Sequence, residues 1–280
     1  MRHTATFPIE DFEFWKKQLL LWTAAHELGV YLDSNGYNSE AVTQGHLFTT
    51  PGWECLAAAG TAEVLEANAG TAFEQLKDFQ KQDWLFGFFG YDLKNEVEKL
   101  SSQNFDGVGM PDMGFFRPKT VAGIKAKGLT KNTEVSYLLE IQTLEEDLDA
   151  VFQEIKNASR QPELPDNFPI QLQARIPKPE YLQIVETIRQ HIAGGDIYEM
   201  NFCQEFFAEN ASLDPLRVFE RLNSIGNAPF STFLRWRNRY LLSASPERFL
   251  KKEGQKLISQ PIKGTRRRGK TAAEDELIRQ

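Results

Sequence analysis

The chain has 280 residues, of which 41% are hydrophobic and 25% are charged, and its formal net charge at pH 7 is −7. This length and apolar content suffice for one large or two modest domains with a buried core, and they exclude a disordered, fibrous or repeat protein. The acidic balance argues against nucleic acid or an anionic membrane surface as the main partner.

Cysteine usage and the N-terminus indicate a compartment. Cys55 and Cys203 lie far apart without a Cys-x-x-Cys pattern, which fits a reducing cytoplasm better than a disulfide framework or a zinc site. Charged residues occupy the N-terminal stretch where a signal peptide needs an apolar run, and the longest apolar stretches are too short to span a bilayer. The sequence therefore predicts a soluble cytoplasmic protein.

The first half of the chain predicts helices alternating with strands. Helices are indicated where apolar residues recur every three or four positions between capping residues, and strands where they alternate or cluster between turn residues. In chain order these are a helix over 8–28, a strand over 30–32, a helix over 71–81, strands over 84–91, 114–116, 121–124 and 135–141, and a helix over 143–155. The alanine-rich residues 56–69 are compatible with strand pairs or a helix.

The polar, proline-containing residues 157–169 are typical of a linker. We therefore predict an N-terminal domain over residues 1–165 and a second domain over 170–280. Beyond the linker the same patterns give a helix from 177 to 195, a strand over 198–208, a helix over 212–226 and a hairpin of 230–236 with 240–243. Helices followed by strands favour an α+β fold with antiparallel sheets flanked by helices.

The stretch that carries chemistry runs from Leu242 to Gly269. Apolar alternation on either side of Gly254 predicts two antiparallel strands, with Glu247 just before the turn and Lys263 at the far end of the return strand. A lysine becomes a good nucleophile only when burial or a nearby cation lowers its pKa, and three arginines follow this lysine closely. The alternative interpretation is an ordinary cross-strand ion pair beside a solvated basic turn.

Several motifs resemble those of the chorismate-utilising enzymes. Pro-Ile-Lys-Gly-Thr over 261–265, followed by an arginine-rich turn, is similar to a motif of aminodeoxychorismate synthase component I. Further similar segments, in family order, are 87–92, 110–113, 195–202 and 243–249. Anthranilate synthase, in the same family, usually has alanine where Lys263 stands. The resemblance therefore favours aminodeoxychorismate synthase, with anthranilate synthase component I as the alternative.

The resemblance implies a fold and an active site. Members have two orthogonally packed antiparallel sheets with helices outside, and a substrate cleft between the sheets. Lys263 would attack the chorismate ring and expel its hydroxyl, leaving a covalent adduct that ammonia resolves to 4-amino-4-deoxychorismate for folate synthesis. Glu247 would be the assisting acid or base, and Gly264 and Thr265 would contact a substrate carboxylate.

The resemblance also implies a partner and a metal. Ammonia would come from a separate glutamine amidotransferase subunit, since this chain has no Gly-x-Cys-x-Gly elbow of its own. Family members continue beyond the position of Gln280 with a long C-terminal part that binds Mg²⁺. We therefore expect no metal site within these 280 residues, and we expect this chain alone to be inactive as a truncated form of the enzyme.

A second site follows from the same resemblance. Related enzymes hold tryptophan in a pocket away from the active site, and Pro229, Phe230 and Ser231 resemble one wall of it. Ser34 and its neighbours resemble the other wall, although the family's Tyr-Ser-Arg-Phe segment does not occur in this chain. A non-catalytic module that binds tryptophan or the amidotransferase is the alternative function of a different class.

Overall fold

The computed structural model describes residues 1–37, 52–129, 135–160, 170–262, 267 and 269–279. It divides the chain into two compact units, a larger one of Met1–Gln161 with Pro215–Gln280 and a smaller one of Pro162–Asp214. This division differs from the predicted domains, 1–165 and 170–280, because strands after residue 229 join the sheet that the N-terminal half builds.

The elements of the described residues confirm the predicted class, α+β with antiparallel sheets and helices. The strands are β1 His3–Ile9, β2 Leu28–Asp33, β3 Trp53–Ala67, β4 Phe86–Phe89, β5 Met113–Leu129, β6 Val135–Thr143, β7 Gln173–Ala174, β8 Phe206–Phe207, β9 Phe230–Trp236, β10 Arg239–Ser245, β11 Arg248–Glu253 and β12 Lys256–Gln260. The helices are α1 Phe12–Ala25, α2 Ala72–Phe79, α3 Lys94–Val97, α4 Leu148–Lys156, α5 Lys178–Gly194, α6 Pro215–Gly226 and α7 Ala272–Arg279, with a 3₁₀ turn at Tyr91–Leu93.

An eight-stranded antiparallel sheet forms the larger unit. Its order is β1-β6-β5-β3-β2-β9-β10, and β4 pairs with the start of β5 on the edge opposite β3. Strand β2 pairs with β3 on one side and β9 on the other, which places Asp33 opposite both Cys55 and Ser231. The register therefore brings the end of β2 next to the start of β9, although about 200 residues separate them in the chain.

Side chains on the two faces of this sheet form separate clusters. Tyr31 and Phe233 point to one face, where they pack with buried residues of α1, α4 and α6 such as Leu19 and Phe219. Their chain neighbours belong to a cluster on the other face, which includes Val30, Leu234, Phe116 and Trp236. This alternation follows from the two-residue period of a strand. Both faces of the central strands are therefore covered by apolar side chains.

The N-terminal helix is shorter than the sequence predicts. It begins at Phe12, where the Asp11 carboxylate accepts a hydrogen bond from the Phe14 backbone N–H at 2.9 Å and caps the first turn. His26 lies at the other end, with Nδ1 2.9 Å from the Trp22 carbonyl, as expected of a capping histidine. The residues before this helix form β1, which was not predicted. Residues 56–69, left open between the two states, lie largely in β3.

The smaller unit contains α5, which Gly195 caps in the left-handed conformation at φ 83°, at the end that the sequence predicts. The predicted strand over 198–208 is wrong over most of its length, since only Phe206–Phe207 pairs with β7. Residues ahead of β8 make other contacts: the Phe202 ring stacks on Tyr181, and Gln204 bonds to the backbone of Ile176. A strand needs a partner, and aromatic spacing alone does not supply one.

Candidate functional site

The predicted catalytic carboxylate, Glu247, lies next to the hairpin of β11 and β12. The turn of this hairpin lies at Gly254, which has φ 57°, a conformation that favours glycine. The prediction that Glu247 stands just before this turn is wrong, because Glu247 precedes β11 and so lies at the open end of the hairpin. There Arg248 pairs with Gln260. Glu247 and the segment that follows Gln260 therefore lie at the same end of the ladder.

Ser245 holds the backbone of Glu247 at this end. The Ser245 hydroxyl donates to the Glu247 carbonyl at 3.0 Å and accepts from its N–H at 3.3 Å. The Glu247 side chain is exposed. Lys263, Gly264 and Thr265, the other predicted active-site residues, lie outside the described residues. The structure thus places the carboxylate and the chain immediately before the lysine, through Ile262.

Beside this hairpin lies a cavity of about 890 Å³, which we call the aromatic cavity. Ser34, Pro229, Phe230 and Ser231, the four residues predicted to bind tryptophan, all line it. They come from the ends of β2 and β9, which the sheet register places side by side. The structure therefore brings these four residues together into one concave site.

Aromatic and cationic side chains that sequence reasoning missed complete the cavity. Trp53 and Trp84 meet edge to face with ring centroids 6.5 Å apart, and the Trp84 indole N–H donates to Gln142 at 2.9 Å. Arg248 and Lys251 line the hairpin side, and the Arg248 guanidinium lies 4.9 Å from the centre of the Phe230 ring. An apolar site with a few directed polar groups is typical of small-ligand pockets.

The aromatic cavity reaches the candidate catalytic end of the hairpin. Pro246 and Ile262 both line it, and each is the chain neighbour of a predicted catalytic residue, Glu247 and Lys263 respectively. A molecule in the cavity would therefore lie against the residues that directly precede both in the chain. The cavity and the β11–β12 hairpin thus share a wall.

The polar groups of the cavity are held by neighbouring strands. Ser34 donates its backbone N–H to the Glu54 carbonyl at 2.9 Å and its hydroxyl to the Glu54 carboxylate at 3.3 Å. The Ser231 hydroxyl donates to the Ala228 carbonyl at 3.2 Å. Both serines are buried, so their positions are fixed before any ligand arrives.

A buried ion pair lies at the wall of the cavity, which Asp33 lines. Lys16 Nζ is 3.0 Å from Asp33 Oδ2. Burial acts to lower the pKa of Lys16, but the charge and hydrogen bond of Asp33 outweigh it, and the pKa is raised above its ordinary value. Burial, with Asp33 nearby, also raises the pKa of Cys55 to about 12. The thiol of Cys55 is therefore neutral at physiological pH and is not a candidate nucleophile.

Two of the motif segments meet at a close backbone contact. The Gly90 N–H donates to the Asp112 carbonyl at 2.6 Å, and the Asp112 carboxylate accepts from the Ala69 N–H at 2.9 Å. In β4, a Cβ built on Gly87 would lie 1.9 Å from the Gly114 carbonyl oxygen. Gly87 and Gly90 of the first motif and Asp112 of the second therefore help to pack β4 against β5.

Neither a metal centre nor a membrane segment is found in the described part of the chain. Within it, no group of three or more His, Cys, Asp or Glu side chains is placed to hold a metal ion. Its helices are all too short or too polar to cross a lipid bilayer.

Comparisons with known proteins agree with this arrangement. The chain is 30% identical over 204 residues to an anthranilate synthase component I-like protein of Synechocystis, and 30% identical over 188 residues to aminodeoxychorismate synthase component 1 of Salmonella typhimurium. These matches cover 70% and 67% of this chain but only 39% of each relative. The chain therefore spans well under half the length of these curated relatives.

A solved structure supports the fold. Anthranilate synthase component I from Streptococcus pneumoniae superposes with a TM-score of 0.54 at 18% identity, covering 74% of this chain and 53% of that one. The model of the chorismate binding enzyme family matches residues 30–280, which include the hairpin and both walls of the aromatic cavity. The chain belongs to the chorismate binding enzyme family.

Proposed function

We propose that this chain is part of an aminodeoxychorismate synthase component I, which converts chorismate and ammonia to 4-amino-4-deoxychorismate. The observation that carries the proposal is that the segment through Ile262 continues from the end of the hairpin where Glu247 lies. In the sequence, Lys263 directly follows Ile262. The relatives include both aminodeoxychorismate and anthranilate synthases at similar identity, so the lysine is what favours the first.

In the proposed reaction, each of the four predicted active-site residues has its own role. The uncharged Lys263 amine bonds to a ring carbon of chorismate while the bond to the ring hydroxyl breaks, and Glu247 donates the proton with which that hydroxyl leaves as water. Ammonia then bonds to the ring and the lysine amine departs. Gly264 and Thr265 bind a substrate carboxylate. Glu247 is exposed and so is accessible to substrate.

Mg²⁺ and a glutamine amidotransferase subunit belong to the same proposal. When bound, Mg²⁺ would neutralise negative charge on the substrate. The described residues offer no cluster of ligands for it. The partner would supply ammonia, in keeping with the component 1 names of the relatives. A pull-down with the amidotransferase tests that association.

The test of the catalytic assignment is a covalent adduct. In the protein expressed from the complete reading frame and given chorismate without ammonia, mass spectrometry should find chorismate minus water on the peptide that contains Lys263. Lys263→Ala should abolish the adduct and lower the amination rate by about a thousandfold. Lys256→Ala, on the exposed β12, is the matched control and should retain both.

The outcomes separate the two enzymes of the family. Undiminished formation of the 4-amino product by Lys263→Ala refutes the covalent role of the lysine. Formation of anthranilate with no adduct assigns the chain to anthranilate synthase component I. A 4-amino product together with an adduct supports the proposal.

We propose further that the aromatic cavity binds tryptophan. Its support is the convergence of the four predicted residues, Ser34, Pro229, Phe230 and Ser231, on one site, together with two cations and two indole rings that also line it. Isothermal titration with L-tryptophan should give saturable binding, and Ser34→Ala should weaken it about tenfold by removing one hydrogen-bonding group. D-Tryptophan is the control for non-specific stacking. An L-tryptophan titration without measurable heat or shift in melting temperature refutes this assignment.

A further inference from the structure

Asp33, which lines the aromatic cavity, is the centre of a buried polar network that extends away from it. Its Oδ2 is 3.0 Å from Lys16 Nζ and accepts hydrogen bonds from Asn223 Nδ2 at 3.0 Å and from the Tyr31 hydroxyl at 3.4 Å. Its Oδ1 accepts from the Asn35 backbone N–H at 2.8 Å. Residue Asp33 is 3% exposed, so these donors replace the water that its charge would otherwise bind.

Asn223 extends the network from α6 to the cavity wall. While its Nδ2 donates to Asp33, its Oδ1 accepts from Asn35 Nδ2 at 2.8 Å. Asn35 Nδ2 also lies 2.7 Å from the Ala228 carbonyl and 3.1 Å from the Ser231 hydroxyl. Asn35 therefore connects the turn after β2 with the turn before β9, and Asn223 bonds to both Asn35 and Asp33. Both turns contribute residues to the cavity.

The conformation of Asn35 requires this support. Asn35 has φ 50°, in the left-handed region that asparagine tolerates better than most residues at a modest energetic cost. The contacts of its side chain fix that conformation, and Ser34 immediately precedes it in the chain. A change at Asn223 would therefore reach the cavity at two points, through Asn35 to Ser34 and through Asn35 to Ser231.

Asn223 itself does not line the aromatic cavity. It lies on the far side of Asp33, in a second cavity of about 710 Å³ that Lys16 and Phe219 also line. Any effect of Asn223 on a ligand of the aromatic cavity must therefore pass through the network. Lys16 enters the same network from α1, so two helices hold the carboxylate from one side of the sheet.

We propose that Asn223 is a positioning residue for the aromatic cavity, and that it fixes Ser34 and the 228–231 wall through Asp33 and Asn35. The inference has two parts. The ligand arm states that Asn223 affects the affinity for tryptophan, and it rests on the proposed binding of tryptophan. The positional arm states that Asn223 keeps residues 228–231 ordered, and it needs no ligand.

Asn223→Asp is the most specific test because it preserves the size of the side chain and the oxygen that accepts from Asn35. It replaces the donor to Asp33 by an oxygen, so two carboxyl groups face each other. At pH 8 we expect L-tryptophan affinity to fall by about tenfold or more. At pH 5.5 the loss should be smaller, since a proton shared by the two carboxyls restores a hydrogen bond. Asn223→Ala should lose affinity without this pH dependence.

Hydrogen exchange measures the positional arm directly. Peptides covering residues 228–232 should exchange about tenfold faster in both Asn223 variants than in wild type. The matched control is Ser224→Ala on the same helix, whose exposed hydroxyl donates only locally to the Arg221 carbonyl. It should change neither exchange nor affinity. Circular dichroism and melting temperature identify any variant that fails to fold, and the alanine variant then replaces the aspartate variant.

The results distinguish this inference from the proposed function. If wild type does not bind tryptophan while the Asn223 variants exchange faster at 228–232, the proposed ligand is wrong and the positional inference holds. If folded Asn223 variants match wild type in exchange, the inference is overturned, whatever the ligand. Equal affinities of wild type and variants with unchanged pH profiles overturn the ligand arm.

Discussion

Gly87 shows how a single motif residue acts through backbone space. A Cβ at this position would lie 1.9 Å from the Gly114 carbonyl oxygen and 2.8 Å from two further backbone atoms of β5. Backbone of a paired strand cannot move aside as a flexible side chain can. We expect Gly87→Ala to lower the free energy of unfolding by about 2–4 kcal/mol, measured by urea unfolding followed by tryptophan fluorescence.

The control for this variant is a glycine without a backbone neighbour. A Cβ on Gly107 would meet only the ring of the exposed Phe105, at 3.3 Å. Gly107→Ala should therefore change the free energy of unfolding by less than about 0.5 kcal/mol. If both alanine variants were equally stable, the close packing of β4 on β5 would be wrong.

At the same scale, the residues of the candidate site divide by what made them predictable. Ser34, Pro229, Phe230 and Ser231 stand in motif-like segments, so a resemblance identified them. Asn223 belongs to no recognised motif. It influences the cavity through Asp33, which lies 190 positions away in the chain. No local pattern encodes such a contact, because it arises only when α6 packs against the sheet.

Helices and strands with a clear periodicity of apolar residues were predictable from the sequence. Strands whose state depends on a partner strand were not. The hairpin of β9 and β10 follows from alternation around a turn. The alanine-rich residues of β3 have little propensity of their own, and pairing with β2 on one side and β5 on the other decides their state. Residues ahead of β8 had aromatic spacing but no partner strand, so the predicted strand over 198–208 did not form.

The hairpin of β11 and β12 was predicted with its strands correct and its carboxylate misplaced. Glu247 is close in sequence to the turn glycine, but six residues of β11 intervene. An antiparallel ladder then returns the chain to the level of Arg248 at Gln260. The geometry that results, with Glu247 and the chain leading to Lys263 at one end, suits the proposed chemistry better than the predicted one.

At the scale of the whole molecule, burial is distributed unevenly. The eight-stranded sheet holds side chains such as Phe233, which is 1% exposed, whereas Phe249 of the hairpin is 90% exposed and Leu257 is 67% exposed. In the smaller unit, helix α5 has no buried residue, and all of its residues are described. The stability of the larger unit therefore comes mainly from the sheet and the helices α1, α4 and α6.

This distribution predicts a contrast between two phenylalanines of the larger unit. Phe233→Ala should cost about 3–5 kcal/mol, because it empties a packed site between α6 and the sheet. Phe249→Ser should change the free energy of unfolding by less than about 0.5 kcal/mol, because the ring contributes little buried area in this chain. All five tryptophans lie in the larger unit, so urea unfolding followed by their fluorescence measures both variants. A cost above about 2 kcal/mol for Phe249→Ser would mean that the hairpin is packed in solution, and the exposure of its ring would then be wrong.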